Sequence, residues 1–361
     1  MRSGVSVGNG KLPVAVDCMG GDRGPACVVA GAVSAVRKND IPVILVGDEA
    51  LLAEELSKNK ATSEKISIKH APQFVTMDDS PSVVLRGKTD SSVRIAFELM
   101  KEGAVSGVVS PGNTGAMMAA GLAVCGTIPG VSRPAIATPI PRASSSIPTI
   151  LLDSGANVDC RPEQLVQFAI MGDCYARLLT ANDSPRVAIL SNGSESSKGT
   201  DLLRETAERL RSFEDLNFIG FVEGRDVPAG NTDVIVCDGL VGNIVLKTIE
   251  GSARLVANAI KSESESSIAT KIGLLFTKRA LKRIFKEKLD PSYHGGAPLL
   301  GLNGVGIVCH GAAGARAIEN AVRVADNLAA QGMVGAISSQ LKRAHGVHSV
   351  NLAKRVGKIS L

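Results

Sequence analysis

The chain has 361 residues, enough for one large α/β domain or two ordinary ones, and a chain this long can bury a core without disulfide or metal staples. Hydrophobic residues make up 44 % but aromatics only 3 %, with no Trp, so the core is expected from Val, Ile, Leu and Ala, as in parallel strands covered by helices. The formal charge of +5, from 40 Lys and Arg against 35 Asp and Glu, is not gathered into a stripe with aromatics; this argues against nucleic acid and leaves an acidic partner or an anionic surface open.

The elements follow in chain order. Residues 1–12 form an expected flexible tail, without the apolar core of a secretory signal. Leu12 to Val16 reads as a strand, Asp17 to Asp22 as a Gly-rich loop, and Pro25 to Val36 as a helix. Pro42 to Val46 is a second strand, Glu49 to Leu56 a helix and Ile66 to Ile68 a third strand. Ser91 to Met100 reads as a helix, Gly107 to Val109 as a strand and Thr114 to Leu122 as a helix. Ala135 to Thr138 and Thr149 to Leu152 read as two strands around the loop Pro141 to Pro148. A long helix, Pro162 to Leu179, carries Pro in its first turn. Arg186 to Leu190, Val234 to Val236 and Val305 to Val308 are further strands, the last feeding a helix over Ala313 to Ala329. The alternation predicts a mostly parallel sheet with helices on both faces.

One stretch breaks the rhythm. From Glu250 to Leu289 there are only helix formers, with Leu274, Leu275 and Phe276 as an apolar knot beside Lys278, Arg279, Lys282 and Arg283. An apolar patch rimmed by cations suits an anionic bilayer or an acidic carrier protein, and equally a solvated face over a dimer helix. The chain after Gly332 reads as polar, basic and peripheral. No apolar run reaches the about 20 residues that span a bilayer.

Ligands of parallel α/β sheets bind at the carboxyl ends of strands. Four Gly-rich segments fall there: Ser110 to Ala116, Asp153 to Asn157, Ser191 to Thr200 and Asp238 to Asn243. Together they suggest a cleft that holds an anion with backbone amides and Asn side chains. Ser191 to Thr200 has Walker-like residues in the wrong order, so a nucleoside triphosphate does not fit. Lys198 stands near the start of a predicted helix, where helix dipole and side-chain charge together favour a bound anion, and a purely structural Lys is poorly placed. Asn243 offers an amide to a developing oxyanion, or serves as a helix cap.

Other chemistries lack a starting point. There is no G-x-S-x-G and no H-E-x-x-H, and Gly301 to Gly306 precedes a strand, the wrong context for a dinucleotide fingerprint. The seven Cys are scattered without a C-x-x-C pair, which indicates free thiols in a reducing compartment and neither disulfides nor zinc. Cys309 and His310 are adjacent on a strand and face opposite ways, so Cys309 is expected to be structural and His310 to line the cleft.

The loops as a set resemble the bacterial phosphate acyltransferases of phospholipid synthesis. The matching segments are Val14 to Asp22, Leu85 to Ser92, Gly112 to Ala116, Leu152 to Asn157, Lys198-Gly199, Asp238-Gly239 with Gly242-Asn243, and Tyr293 to Gly301, in the family's order from about Pro13 to Gly332. The resemblance implies a Rossmann-like three-layer α/β/α fold, akin to phosphotransacetylases and isopropylmalate-type dehydrogenases, over residues 13–335. It places a helical excursion at 250–292 and a basic tail at 336–361. It implies transfer of a fatty acyl group from acyl carrier protein to inorganic phosphate by a cytoplasmic homodimer with no cofactor and no metal. It allows peripheral contact with an anionic membrane and with a downstream glycerol-phosphate acyltransferase. Carried over by motif, Lys198 and Asn243 are catalytic. Asp17, Gly20, Gly21, Asp22, Gly112, Asn113, Thr114, Gly115, Asp153, Asn157, Asp238, Gly239 and His310 bind phosphate or substrate. Ser196-Ser197 departs from the Glu or Gly that relatives often carry before the Lys. The rival readings are a phosphotransacetylase using acyl coenzyme A and a non-catalytic membrane-docking scaffold.

Overall fold

The strand β1 (Val14–Asp17) is buried at every residue, as its unbroken apolar run requires for a strand covered on both faces. In the computed structural model, which describes residues 10–142, 145, 147–266, 277 and 295–344, the chain divides into two compact units. One comprises the residues up to Ala137 and those from His294 onward, the other Thr138–Tyr293.

In the first unit β1 lies between β2 (Val43–Gly47) and β4 (Gly107–Ser110) and is parallel to both. The sheet extends to β3 (Ile66–His70) beyond β2 and to β11 (Gly306–Val308) beyond β4, again parallel. The antiparallel β10 (Ala297–Leu300) then links β11 to β5 (Ala135–Ile140). Helix α1 (Gly24–Asn39), with Pro25 in its first turn, packs on α9 (Ala315–Ala330). Helices α2 (Glu49–Lys58), α3 (Val83–Arg86), α4 (Ser92–Lys101) and α5 (Thr114–Val124) complete this unit's connections.

In the second unit β6 (Thr149–Leu152), β9 (Val234–Val236), β7 (Val187–Leu190) and β8 (Phe218–Val222) pair in that order, all parallel. Helix α6 (Pro162–Thr180) is buried from Gln164 to Ala176. Helices α7 (Asp201–Leu210) and α8 (Gly239–Ser266) follow β7 and β9. Ile140, Leu151, Ala188, Leu190, Val222, Val227, Ile235 and Cys237 form a core cluster, against which Val245, Leu246 and Ile249 of α8 pack.

The structure corrects the sequence reading in several places. β8 was not expected: Gly220 interrupts its pattern and it is the last strand of its sheet, so it shows weak alternation. β10 lies within the Tyr293 to Gly301 motif, which shows no strand pattern in sequence. Its Pro298 lies where the strand pairs with β11 alone, so the missing N–H costs no ladder bond to β5. Helix α8 begins at Gly239 rather than Glu250, because two glycines in its first turn look like a loop in sequence but pack closely in space. Residues 333–344, expected to be peripheral, are mostly helical and bury Met333, Ile337 and Leu341 at spacings of one turn. Among the described residues no helix is long and apolar enough to cross a membrane.

Candidate active site

At the carboxyl edge of the first unit, β1 and β4 end side by side on Asp17 and Ser110. The Ser110 hydroxyl donates to Asp17 Oδ2 at 2.7 Å and accepts from the Gly112 amide at 3.1 Å. Burial pushes the Asp17 carboxyl above its ordinary range, against the lowering effect of the Ser110 hydroxyl and the Met19 amide. The loops carried by these strands touch: a Cβ on Gly20 would lie 2.7 Å from Gly112 Cα. The Asp22 amide donates to the Gly311 carbonyl at 2.8 Å, tying the loop after β1 to the one after β11. Gly21 takes a positive φ of 87° at this junction, a conformation that favours glycine.

The other predicted residues of this unit have mixed roles. Asn113 caps α5 by accepting from the Ala116 amide at 3.0 Å, and its Nδ2 donates to the Met77 and Asp79 carbonyls. Its side chain thus holds the loop in place. Thr114 and Gly115 form the first turn of α5, with Gly115 against Pro81. The strand β11 ends at Val308, so Cys309 and His310 lie just past it and not on it; Cys309 is buried and His310 exposed. The His310 Nδ1 accepts from the Ala312 amide at 3.1 Å, so its Nε2 carries the proton in the neutral ring and points away from this bond.

At the carboxyl edge of the second unit three loops leave adjacent parallel strands, β6, β9 and β7. Asp153, fully buried, follows β6. Its carboxylate accepts from the amides of Gly155, Ala156 and Asn157 and from the Asn157 side chain at 2.9 Å, and so shapes the turn. The Asn157 carbonyl in turn accepts from the Gly239 amide at 2.7 Å, which seats the start of α8. Asp238 caps that helix by accepting from the Val241 amide at 2.8 Å. The approach is so close that a Cβ on Gly242 would lie 1.8 Å from the Asp153 carbonyl oxygen. Asn113, Asp153 and Asp238 therefore organise backbone, and what they leave for an anion is the amides they align.

Asn243 stands on the helix itself, one residue past Gly242, and not on a loop. It is exposed, makes no side-chain hydrogen bond among the described residues, and lies over Gly155, whose Cβ position is 3.8 Å from the Asn243 Cγ. Lys198 follows β7. Its stem crosses Gly193, and its exposed ammonium has no ion-pair partner among the described residues. Asn192 Oδ1 accepts from the Gly199 amide at 3.0 Å and closes this loop, and Thr200 caps α7. Lys198 thus precedes the helix by three residues.

Ser110 and Gly311 were missed as contributors. Ser110 was legible once β1 and β4 were paired, since each apolar strand ends on a polar residue; Gly311 carries no signal beyond being a glycine. The thiols nearest these loops are poor nucleophiles. Burial pushes Cys309 up to about 12, and burial with the nearby Asp153 and Asp238 charges pushes Cys160 up to about 12. No group of three or more His, Cys, Asp or Glu side chains is arranged to hold a metal among the described residues. Leu274, Leu275, Phe276, Lys278, Arg279, Lys282 and Arg283 lie outside the described residues.

Gly-rich loops at the carboxyl ends of parallel strands, with free Lys and Asn side chains at one edge, mark this as an α/β protein of the class whose ligands bind at strand ends. Solved structures share the fold. A phosphotransacetylase from Streptococcus pyogenes superposes with a TM-score of 0.63 at 20 % identity, over 89 % of this chain and 95 % of that one. A 4-hydroxythreonine-4-phosphate dehydrogenase from Klebsiella pneumoniae does so at 0.52 and 13 %, over 88 % and 100 %. A family model described as fatty acid synthesis protein matches residues 12–335, and the chain belongs to that family. The phosphate acyltransferase of Syntrophotalea carbinolica is 46 % identical over 347 residues, covering 96 % of this chain and 99 % of the relative. That of Trichlorobacter lovleyi is 49 % identical over 335 residues, covering 93 % and 96 %.

Proposed function

We propose that this chain transfers a fatty acyl group from the thioester of acyl carrier protein to inorganic phosphate, giving an acyl phosphate and the free carrier thiol. The observation that carries the site is the pairing of β7 with β9 in parallel, which brings out the loop of Lys198 and the helix start of Asn243 from neighbouring strands. Both side chains are exposed and uncommitted among the described residues, while the acids around them are spent on backbone. Family membership supports acyl transfer to phosphate.

The chemistry needs no activated Ser or Cys. A phosphate oxygen attacks the thioester carbonyl carbon, a C–O bond forms, and the C–S bond breaks with its electron pair leaving on the thiolate, which takes a proton from solvent. The Lys198 ammonium holds the phosphate charge, and the Asn243 amide donates to the carbonyl oxygen as it becomes an oxyanion. The loop amides that Asp153 aligns add backbone donors. Positioning of this kind supplies about 7–11 kcal/mol in favourable cases.

The finer parts of this reading are a homodimer in the cytoplasm, the carrier protein as acyl donor, contact of the helical excursion with an anionic membrane, and delivery of the acyl phosphate to a glycerol-phosphate acyltransferase. Seven free thiols support a reducing compartment. The product is a reactive mixed anhydride, which supports prompt consumption by a second acyl transfer. The test follows loss of acyl–acyl carrier protein thioester with and without phosphate, in the absence of nucleotide. Turnover that depends on phosphate is expected. Equal turnover in phosphate-free buffer would identify a thioesterase, and faster turnover of acetyl coenzyme A would identify a phosphotransacetylase.

A further inference from the structure

Helix α8 is apolar on two faces. Val245, Leu246 and Ile249 turn one face to the core. The other begins with Leu240, Val241 and Ile244, which are 52 %, 38 % and 57 % exposed. Positions 240, 241 and 244 lie within one turn on the same side, since residues three and four apart are neighbours on a helix. Val158, 60 % exposed, sits one residue past the Asn157 carbonyl that receives the Gly239 amide, on the loop that seats the start of this helix. Four large aliphatic side chains thus lie exposed around the start of one helix. Contiguous apolar surface rimmed by polar groups marks a binding surface.

The place of this patch selects its occupant. Asn243 is in the same turn as Leu240 and Ile244, and its side chain lies over Gly155. Under the acyl-transfer reading, on which this inference rests, the thioester carbonyl meets the Asn243 amide. The methylenes attached to that carbonyl must then leave along the surface nearest to Asn243. We propose that Leu240, Val241, Ile244 and Val158 seat the first methylenes of the substrate's acyl chain and favour a fatty acyl group over acetyl. A carboxylate or a sugar would gain nothing from four aliphatic neighbours, whereas each buried methylene strengthens binding about fourfold.

The experiment compares wild type, Ile244→Ser, Leu240→Ser and Leu255→Ser. Leu255 lies farther along α8 and is 70 % exposed, so it serves as the control. Two quantities are measured. The first is the ratio of kcat/KM for palmitoyl- over acetyl–acyl carrier protein. The second is the Kd of a non-cleavable palmitoyl amide of pantetheine. Loss of contact with about two methylenes should lower the ratio and weaken the amide about 16-fold in Ile244→Ser and Leu240→Ser, with acetyl turnover and Leu255→Ser unchanged. An unchanged ratio and an unchanged Kd overturn the proposal. So does an equal loss in Leu255→Ser, or a shift from dimer to monomer in sedimentation with chain preference intact, which would give this face to a second copy. If wild type lacks phosphate-dependent turnover yet the palmitoyl amide binds and is lost in Ile244→Ser, the acyl-transfer reading fails while the acyl seat stands.

Discussion

Asp17 in the first unit and Asp153 in the second hold the same station, the first position at or beyond the carboxyl end of a parallel strand, and both are buried, at 3 % and 0 % exposure. Their surroundings differ. Asp153 is ringed by donors from Gly155, Ala156 and Asn157, so its charge is spread over the turn it shapes. Asp17 has the Ser110 and Ser92 hydroxyls and the Met19 and Gly20 amides about it, and burial outweighs them and lifts its carboxyl above the ordinary range. One acid builds a loop. The other is a poorly solvated acid that joins two glycine turns through a hydroxyl. A carboxylate at a strand end does not by itself announce a ligand contact; the groups that face it decide what it does. The same accounting leaves Lys198 and Asn243 of the second unit as the groups with something to offer a substrate.

The largest effect tests that last statement. Asn243→Ala should lower kcat by ~10²–10³-fold, the loss seen for one oxyanion donor, with the phosphate KM nearly held. Lys198→Ala should lower kcat by ~10²-fold if the ammonium serves the transition state, or raise the phosphate KM at constant kcat if it holds ground-state phosphate. Wild-type constants for both folded variants would move the chemistry away from this edge.

A smaller effect separates the two carboxylates directly. Asp153→Asn turns an acceptor oxygen into a donor among N–H groups and should cost about 2–3 kcal/mol in urea unfolding. Asp17→Asn keeps an acceptor for the Met19 amide, lets its new amide donate to the Ser110 hydroxyl oxygen and removes a charge that burial already disfavours, so it should cost under about 1 kcal/mol. Equal losses would erase the contrast.

The smallest effect concerns the opposite, amino edge of the second unit. There Asp233 accepts from Arg186 Nε at 3.0 Å and from Arg142 Nη2 at 2.9 Å. Burial would raise its carboxyl, but the Arg186 and Arg142 hydrogen bonds outweigh it and hold it at about 2. A depressed folded pKa gives stability that is fully present above about pH 4 and is lost as pH falls toward 2, here about 2 kcal/mol. Asp233→Asn should be less stable at pH 7 and should lose less than wild type between pH 4 and pH 2. Parallel acid-unfolding curves would show that this network carries no linked proton.

Much of this was written in local chemistry. Short apolar runs fixed most of the strands, Pro25 and Pro162 marked helix starts, and the glycines marked the loops that lie at strand ends. Asn113 and Asp238 could be read as substrate ligands because an N-cap and an anion site use the same residue types; only the acceptors and donors around each side chain tell them apart. The exposed stripe beginning at Leu240 was hidden because Gly239 and Gly242 look like a loop, and only the close approach of the Asp153 carbonyl makes glycine the residue that lets a helix start there. The stripe Met333, Ile337 and Leu341 was present in sequence at helical spacing but surrounded by polar residues, and packing decided that it is buried. Local propensity set which residues form strands and turns, because those choices depend on neighbours within a few positions. The pairing of β1 with β4 and of β7 with β9, and with it the meeting of Asp17 with Ser110 and the shared edge of Lys198 and Asn243, was decided by tertiary structure alone, since these contacts join residues distant along the chain.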